Sequence, residues 1–385
     1  VRARESTTLI PPAHAQMAER AATPTDRISA LICDRYSPAL MANNDFLHHS
    51  DPGALEQVVG EYGLRAVALE YIDHGLINHT WRARGSDGES YAVQRLNAIL
   101  GADGHHDIEA VSAHIAAKGM PTPRLLRTAG GDLCVKREDG IWRMLTWLEG
   151  EFHNRLENAA QAAQAGALLA RFHRALDDFD QPFARKRRPI HEPSRRFADL
   201  DRALAGHPDH PLRGEAGALR RRALAIAAGL PPMPSTPLRV AHGDPKINNM
   251  LFTTAGEGLA MVDLDSLGRL SLPYELGDAF RSWCNPAGED SEDTAFSAEL
   301  FEAARASYLD VASFVTEEER SCLVDATLWI TLELAARFTA DILNDRYFGW
   351  DPKRFASRAE HNLVRARGQL RLAESLLGQR PILAA

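Results

Sequence analysis

The spacing of apolar positions divides the chain into stretches of different texture. From Pro52, the residues Leu55, Val58, Val59 and Tyr62 recur at helical spacing, and short β-type runs follow at Ala66 to Ile72, Thr80 to Ala83 and Ser90 to Leu96. The turn-like segment His74 to Asn78 separates the first two runs and Gly85-Ser86-Asp87-Gly88 the last two, which predicts three antiparallel strands in meander order. A helix from about Asp107 to Lys118, closed by Gly119, carries Ile108, Val111 and Ile115 on one stripe. Two more strands are expected around Cys134 and over Arg143 to Leu148, so residues 65 to 150 read as a five-stranded antiparallel sheet with one inserted helix.

After Gly150 the pattern turns helical. Leu168, Phe172, Leu176 and Phe179 step by four, four and three residues, an amphipathic helix over Asn158 to Phe179. Basic patches at Arg185 to Arg188, Arg195-Arg196 and Arg220 to Arg222 lie in a stretch whose helices are poorly marked, and they read as solvated faces. Pro231-Pro232-Met233-Pro234 stiffens the approach to a strand-loop-strand unit from Leu238 to Val262. Past Asp278 helices return, with Thr316 and Glu319 at capping-box spacing ahead of Leu323, Ala326, Trp329 and Ile330. The fold class is therefore α+β, with a small sheet lobe at residues 51–150 and a larger helical lobe at 151–385. Residues 1–50 lack apolar periodicity and read as a weakly ordered leader, with translation expected to begin at Met41.

Composition narrows the function classes. An apolar share of 45% and a charged share of 25% over 385 residues describe an ordinary globular chain. Lys and Arg number 44 against 52 Asp and Glu, a net charge of -8, which argues against a nucleic-acid or anionic-membrane partner. The four cysteines, Cys33, Cys134, Cys284 and Cys322, are scattered singly, which fits a reducing, cytoplasmic setting better than a disulfide frame or a zinc site.

The candidate chemistry lies in Val240-Ala241-His242-Gly243-Asp244-Pro245-Lys246-Ile247-Asn248-Asn249-Met250-Leu251-Phe252 and the following Leu259-Ala260-Met261-Val262-Asp263-Leu264-Asp265. Phosphoryl transfer needs a carboxylate that takes the acceptor hydroxyl's proton and oxygen ligands that hold Mg²⁺ against a polyphosphate. Asp244, Asn249 and Asp263 supply that set, and Lys246 stands close enough in sequence to offset charge on the moving phosphoryl group. His242 and Asp278 read as structural pins of this loop. Asp265 reads either as a second metal or sugar contact or as a loop-capping carboxylate.

These segments resemble the aminoglycoside phosphotransferase and choline kinase superfamily, small-molecule kinases with a protein-kinase-like bilobal fold. The likeness is carried by Gly75-Leu76-Ile77-Asn78 with Thr80-Trp81, and by the His242 to Asp265 unit continuing to Leu276-Gly277-Asp278-Ala279-Phe280-Arg281. Two further segments, Tyr91-Ala92-Val93-Gln94-Arg95-Leu96-Asn97 and Ala336-Arg337-Phe338-Thr339-Ala340-Asp341 with Tyr347-Phe348 and His361 to Arg367, favour the bacterial N-acetylhexosamine 1-kinase group. The resemblance spans roughly residues 52 to 378. It implies ATP and Mg²⁺ as cofactors, Asp244 as general base, Asn249 and Asp263 as metal ligands, and a small-molecule acceptor such as an amino sugar. It further implies nucleotide contacts from Asn78, Gln94 or Arg95, Glu109 as the acid of the small-lobe helix, and a hinge at Thr146, Trp147 and Leu148 that receives the adenine. Arg337 and Tyr347 are the implied sugar contacts, beside which Asp265 stands as the candidate read from the loop itself.

The chain departs from the pattern in four places. Gln94-Arg95 stands where kinases place a phosphate-binding Lys on the third strand, so either Arg95 takes that role or the phosphates rely on magnesium and backbone. Strand alternation lets only one of the two side chains serve. Gly75 is a lone glycine, Glu275 replaces a frequent Asp, and Leu76 a frequent His. Other acceptors remain open at this level, namely an aminoglycoside, a homoserine-like amino alcohol or another sugar. So do a nucleotide-binding module without turnover and a helical scaffold.

Overall fold

A computed structural model describes residues 52–72, 78–96, 102–185 and 190–384. The leader, the turn with Gly75 and Leu76, and Lys186 to Arg188 of the first basic patch lie outside them.

Helix α1 (Pro52–Glu61) precedes strands β1 (Ala66–Ile72), β2 (His79–Gly85) and β3 (Ser90–Arg95), and β4 (Val135–Arg137) and β5 (Gly140–Thr146) follow helix α2 (His105–Ala117). The five strands form one sheet in the order β1-β2-β3-β5-β4, each pair antiparallel. The meander of the first three is as the pattern predicts, whereas the last hairpin turns back so that β5 pairs with β3. That register sets Gln94 opposite Arg143 and Arg95 opposite Trp142. Trp81, Val93, Trp142 and Met144 cover one face of the sheet and pack with Leu55, Val58 and Val59 of α1. Because successive side chains alternate, Gln94 and Arg143 belong to the opposite face. The stripe Ile108, Val111 and Ile115 of α2 packs into the large core of the helical part.

The chain crosses from the sheet at Gly150, where a Cβ would lie 2.6 Å from both Leu251 Cγ and the Phe252 carbonyl oxygen. No side chain fits there, and β6 (Glu151–Phe152) then joins β8 (Met250–Phe252) and β9 (Gly258–Met261) in a small sheet ordered β6-β8-β9. Strand β7 (Leu238–Ala241) pairs with β10 (Gly268–Ser271). Around these lie α3 (Ala159–Ala175), α4 (Pro193–Gly206), α5 (Arg213–Ala227), α6 (Leu272–Trp283), α7 (Ala298–Val311), α8 (Glu317–Ser321), α9 (Leu323–Asn344) and α10 (Arg358–Leu383). Asn158 caps α3 by accepting the Gln161 N–H, and the Thr316/Glu319 capping box opens α8.

Helices α4 and α5 were poorly marked because their buried positions are few and small, only Pro193, Leu200 and Ala203 in α4. Their arginines face neighbouring acids, Arg195 with Glu192 and Asp199, Arg220 with Asp201, and Arg222 with Glu374. Among the described residues no helix is long and apolar enough to cross a membrane.

Candidate active site

The loop after β7 is held from below. Gly243 adopts φ +80°, and a Cβ there would lie 2.3 Å from the Ser266 carbonyl oxygen, so neither the backbone angle nor the space admits another residue. Glu275 of α6 is fully buried, and its carboxylate accepts the backbone N–H groups of His242 at 2.9 Å and Gly243 at 3.0 Å. This is the work of the Glu that departs from the family pattern. His242 is buried with Nε2 2.8 Å from the Val262 carbonyl oxygen, to which it donates, and desolvation holds its pKa below the ordinary histidine value. Trp283 Nε1 donates to the Pro245 carbonyl oxygen at 2.9 Å.

His242 therefore pins the loop, whereas Asp278 pairs elsewhere. Its Oδ1 accepts from Arg281 Nε at 3.0 Å and Nη2 at 2.8 Å. Burial would raise the Asp278 carboxyl, but Arg281 and His191 outweigh it and hold the pKa below the usual carboxylate value.

On this platform Asp244 Oδ2 accepts from Lys246 Nζ at 2.7 Å and from Asn249 Nδ2 at 3.1 Å. Asn249 Nδ2 also reaches the Asp244 carbonyl oxygen at 2.8 Å, and the Asn249 carbonyl accepts the Val262 N–H at 2.9 Å, which joins the loop to the strand before Asp263. Asp263 sits in the left-handed region at φ 60°. Desolvation, with the neighbouring Asp265 and Asp244, pushes its carboxyl above the usual range. Burial works against the Lys246 charge, but Asp244 and Asp263 outweigh it, so the ammonium stays protonated.

Among the described residues no group of three or more His, Cys, Asp and Glu side chains could hold a metal ion. Asp263 and Asn249 offer hard oxygen donors, and Mg²⁺ characteristically takes one or two carboxylates from protein and the rest from phosphates and water. A crowded set of carboxylates is also an arrangement that a divalent cation relieves.

Above the loop a cleft is lined by Asn78, Thr80, Ala92 and Gln94 of the sheet, by Thr146, Trp147 and Leu148 of the crossing segment, and by Asn248, Asn249 and Asp263. Seven sequence candidates, Asn78, Gln94, Thr146, Trp147, Leu148, Asn249 and Asp263, thus line one cavity. The Thr146 N–H and Oγ1 pair with the Arg124 backbone, each at 2.9 Å.

Two expected nucleotide contacts do not line the cleft, and a third candidate has a partner within the protein. Arg95 does not reach the cleft: alternation sends it to the α1 face, where its guanidinium lies 5.7 Å from the Trp142 ring centroid. Glu109 does not reach it either, because Arg127 engages its carboxylate at 2.8 and 2.6 Å. Asp265, read as either a metal or sugar contact or a loop-capping carboxylate, is engaged within the protein. Arg143 Nη1 and Nη2 bind its two oxygens at 2.7 and 2.8 Å, and Asn78 Nδ2 donates to Oδ2 at 3.0 Å.

The residue that sequence reasoning missed is Arg143, whose side chain lines the cleft and whose Nε donates to Gln94 Oε1 at 2.9 Å. An Arg in the otherwise apolar run Ile141-Trp142-Arg143-Met144-Leu145 was the available signal.

Arg337 and Tyr347 are brought together at the end of α9, away from the cleft lining. Arg337 Nη2 lies 3.4 Å from the Tyr347 hydroxyl, and its guanidinium lies 5.6 Å from that ring's centroid and 5.5 Å from that of Phe348. Tyr347 is 64% exposed, so its ring is available as a contact surface. Asp341 fastens this loop by accepting the N–H groups of Arg346, Tyr347 and Phe348 and the Asn362 side chain.

A family model described as the phosphotransferase enzyme family matches residues 68–312. Among solved structures, an amicoumacin kinase in complex with AMP-PNP, Ca²⁺ and Ami superposes with a TM-score of 0.60 at 12% identity, covering 86% of this chain and 95% of that one. An aminoglycoside phosphotransferase from Alicyclobacillus acidocaldarius gives 0.54 at 18% identity, over 86% and 97% of the two chains. A microcompartment-associated aminopropanol kinase gives 0.55 at 15% identity, over 86% and 98%. At these identities the likeness is one of fold, a kinase-like sheet lobe followed by a mainly helical part.

Proposed function

Since the chain belongs to the phosphotransferase enzyme family, we propose that it transfers the γ-phosphoryl group of ATP to a hydroxyl of a small polar molecule, with Mg²⁺ as the divalent cation. The acceptor we assign is the anomeric hydroxyl of an N-acetylhexosamine or related sugar. In this reading the sheet lobe, residues 51–150, takes the nucleotide, and residues 151–385 supply the catalytic loop and the acceptor site.

The observation that carries the reading is the setting of Asp244. Its Oδ2 is held by Lys246 and Asn249, and among the described residues no hydrogen bond is made to Oδ1. Oδ1 is the oxygen positioned to receive a proton. The acceptor hydroxyl loses its proton to Asp244 as its oxygen bonds to the γ-phosphorus and the bond to the β,γ-bridging oxygen breaks, releasing ADP. Lys246, fixed beside Asp244, offsets charge near the transferring group. Asp263 and Asn249 would hold the cation, whose contribution when bound is to neutralise phosphoryl oxygens.

The sugar assignment rests on the likeness of Tyr91 to Asn97 and of the Arg337 and Tyr347 segments to hexosamine kinases. An exposed aromatic ring beside a guanidinium suits an uncharged, hydroxyl-rich acceptor better than a cationic one. Incubation with Mg-ATP and a panel of amino sugars, plain hexoses, aminoglycosides and amino alcohols, read by mass and ³¹P NMR, tests it. A sugar 1-phosphate is the expected product. A phosphate on another acceptor would keep the catalytic loop and move the substrate, whereas bound Mg-ATP with no product on any acceptor would favour a module without turnover.

A further inference from the structure

A nucleoside triphosphate carries several negative charges into a cleft already holding Asp263, with Asp244 and Asp265 close by, so a protein cation that faces the phosphates would add to what Mg²⁺ neutralises. Arg143 alone is basic among the described residues that line the cleft. We infer that Arg143, on β5, is the group that grips the triphosphate, doing from the neighbouring strand what a third-strand lysine does in other kinases. The inference rests on the nucleotide reading of the cleft and adds to it the identity of the phosphate-binding cation.

The ladder explains how the charge changes strands. Gln94 and Arg143 are cross-strand partners, so both side chains emerge on the same face at nearly the same point. A cation at either position therefore reaches the same part of the cleft. With a neutral amide on β3, Gln94 becomes a support: it accepts from Arg143 Nε at 2.9 Å and donates to Thr80 Oγ1 at 3.1 Å.

The donor count leaves Arg143 able to bind a ligand. A guanidinium has five N–H donors, two on each Nη and one on Nε. Gln94 takes the Nε donor and Asp265 takes one from each Nη. One donor remains on each Nη, and because the Asp265 fork uses the two N–H groups that face the same way, these two point to opposite sides of the guanidinium, so one of them meets a phosphate oxygen as a single charge-assisted hydrogen bond. The bidentate pair with Asp265 fixes the guanidinium plane before any nucleotide arrives. Asp265 also lies two residues beyond Asp263, within the single turn Leu264–Ser266, so the phosphate grip and the proposed metal-binding carboxylate are parts of one rigid unit. The ion pair that orients the cation thus crosses from the sheet to the Asp263 segment, while Glu109 of α2 is turned to Arg127.

The test is isothermal titration of Mg-ATP, and separately of adenosine, into the wild type, Arg143→Gln, Arg143→Lys and the double variant Gln94→Lys with Arg143→Gln, each checked by thermal melting. Arg143→Gln is expected to weaken Mg-ATP by about tenfold or more while adenosine changes by less than about twofold, because only the phosphates meet the guanidinium. Gln94→Lys in that background is expected to recover most of the loss. Arg143→Lys, which keeps the charge but not the fork, is expected to weaken Mg-ATP by about threefold or more without affecting adenosine. This variant decides the matter if Arg143→Gln does not fold. Wild-type affinity for Mg-ATP in either Arg143 variant, or equal losses for Mg-ATP and adenosine, would overturn the inference and leave the kinase reading standing. A wild type that binds no Mg-ATP would overturn both.

Discussion

Replacing Glu275 by Gln keeps the side chain's size and removes one acceptor oxygen. In the native fold the carboxylate serves two buried donors, the His242 and Gly243 N–H groups at 2.9 and 3.0 Å, lies 3.5 Å from the buried His173 Nε2, and has no exposure to water. A hydrogen bond to a charged acceptor contributes about 1.5–3 kcal/mol and a neutral one about 0.5–1.5 kcal/mol. The amide can serve one N–H at the lower value and must present its own NH₂ to the other, leaving a buried donor without a partner. Relief of burying a carboxylate offsets part of the loss, so the net destabilisation is expected to be about 2–4 kcal/mol. Urea unfolding at neutral pH measures it, with unchanged m-value as the sign that only the native state is affected. The turnover number should fall with it, since both clamped amides begin the loop that carries Asp244. A change below about 0.5 kcal/mol, in the range of ordinary surface substitutions, would refute the claim that Glu275 supports this loop.

Asp244→Asn is expected to lower kcat by about 10² or more with Mg-ATP affinity nearly unchanged, measured by steady-state kinetics and titration; near-normal kcat would remove Asp244 from the base role. Arg337→Ala should raise KM for the acceptor and leave KM for ATP alone, and a variant with both values unchanged would place the acceptor elsewhere. Stability should also depend on pH through His242. Its folded pKa lies below the ordinary value, so its contribution is complete above about pH 6.5 and is lost as the pH falls and the unfolded chain takes up the proton. His242→Gln, which keeps a donor for the Val262 carbonyl, should flatten the stability curve below pH 6.5 by up to about 1.4 kcal/mol per pH unit, and parallel curves for the two proteins would contradict this.

Much of the sheet lobe was legible because it follows local rules. The strands over residues 66–72, 79–85 and 90–95 and the stripe of α2 appear where alternation and helical spacing place them. The catalytic segment was legible for a different reason: His242, Asp244, Asn249 and Asp263 are close in sequence, and the structure joins them through the Val262 N–H to Asn249 carbonyl bond. What stayed hidden depends on distant pairing. That Arg143 stands beside Gln94 in the cleft turns on β5, not β4, lying beside β3, and no local pattern states that choice. Likewise the partners of Glu109 and Asp265 lie 18 and 122 residues away. The strands β6 and β10 are too short, at 2 and 4 residues, for alternation to register.

Transfer of label from γ-³²P-ATP into small molecules, compared between the wild type and Asp263→Ala in the presence of Mg²⁺, tests whether this cleft is a phosphotransferase site. With the acceptor panel present, the wild type should move label into a low-mass, phosphatase-sensitive product, and the folded Asp263→Ala variant should move none. Label that stays in ATP with the wild type, or that transfers equally well with the variant, would contradict the assignment of phosphoryl transfer to Asp244, Asn249 and Asp263.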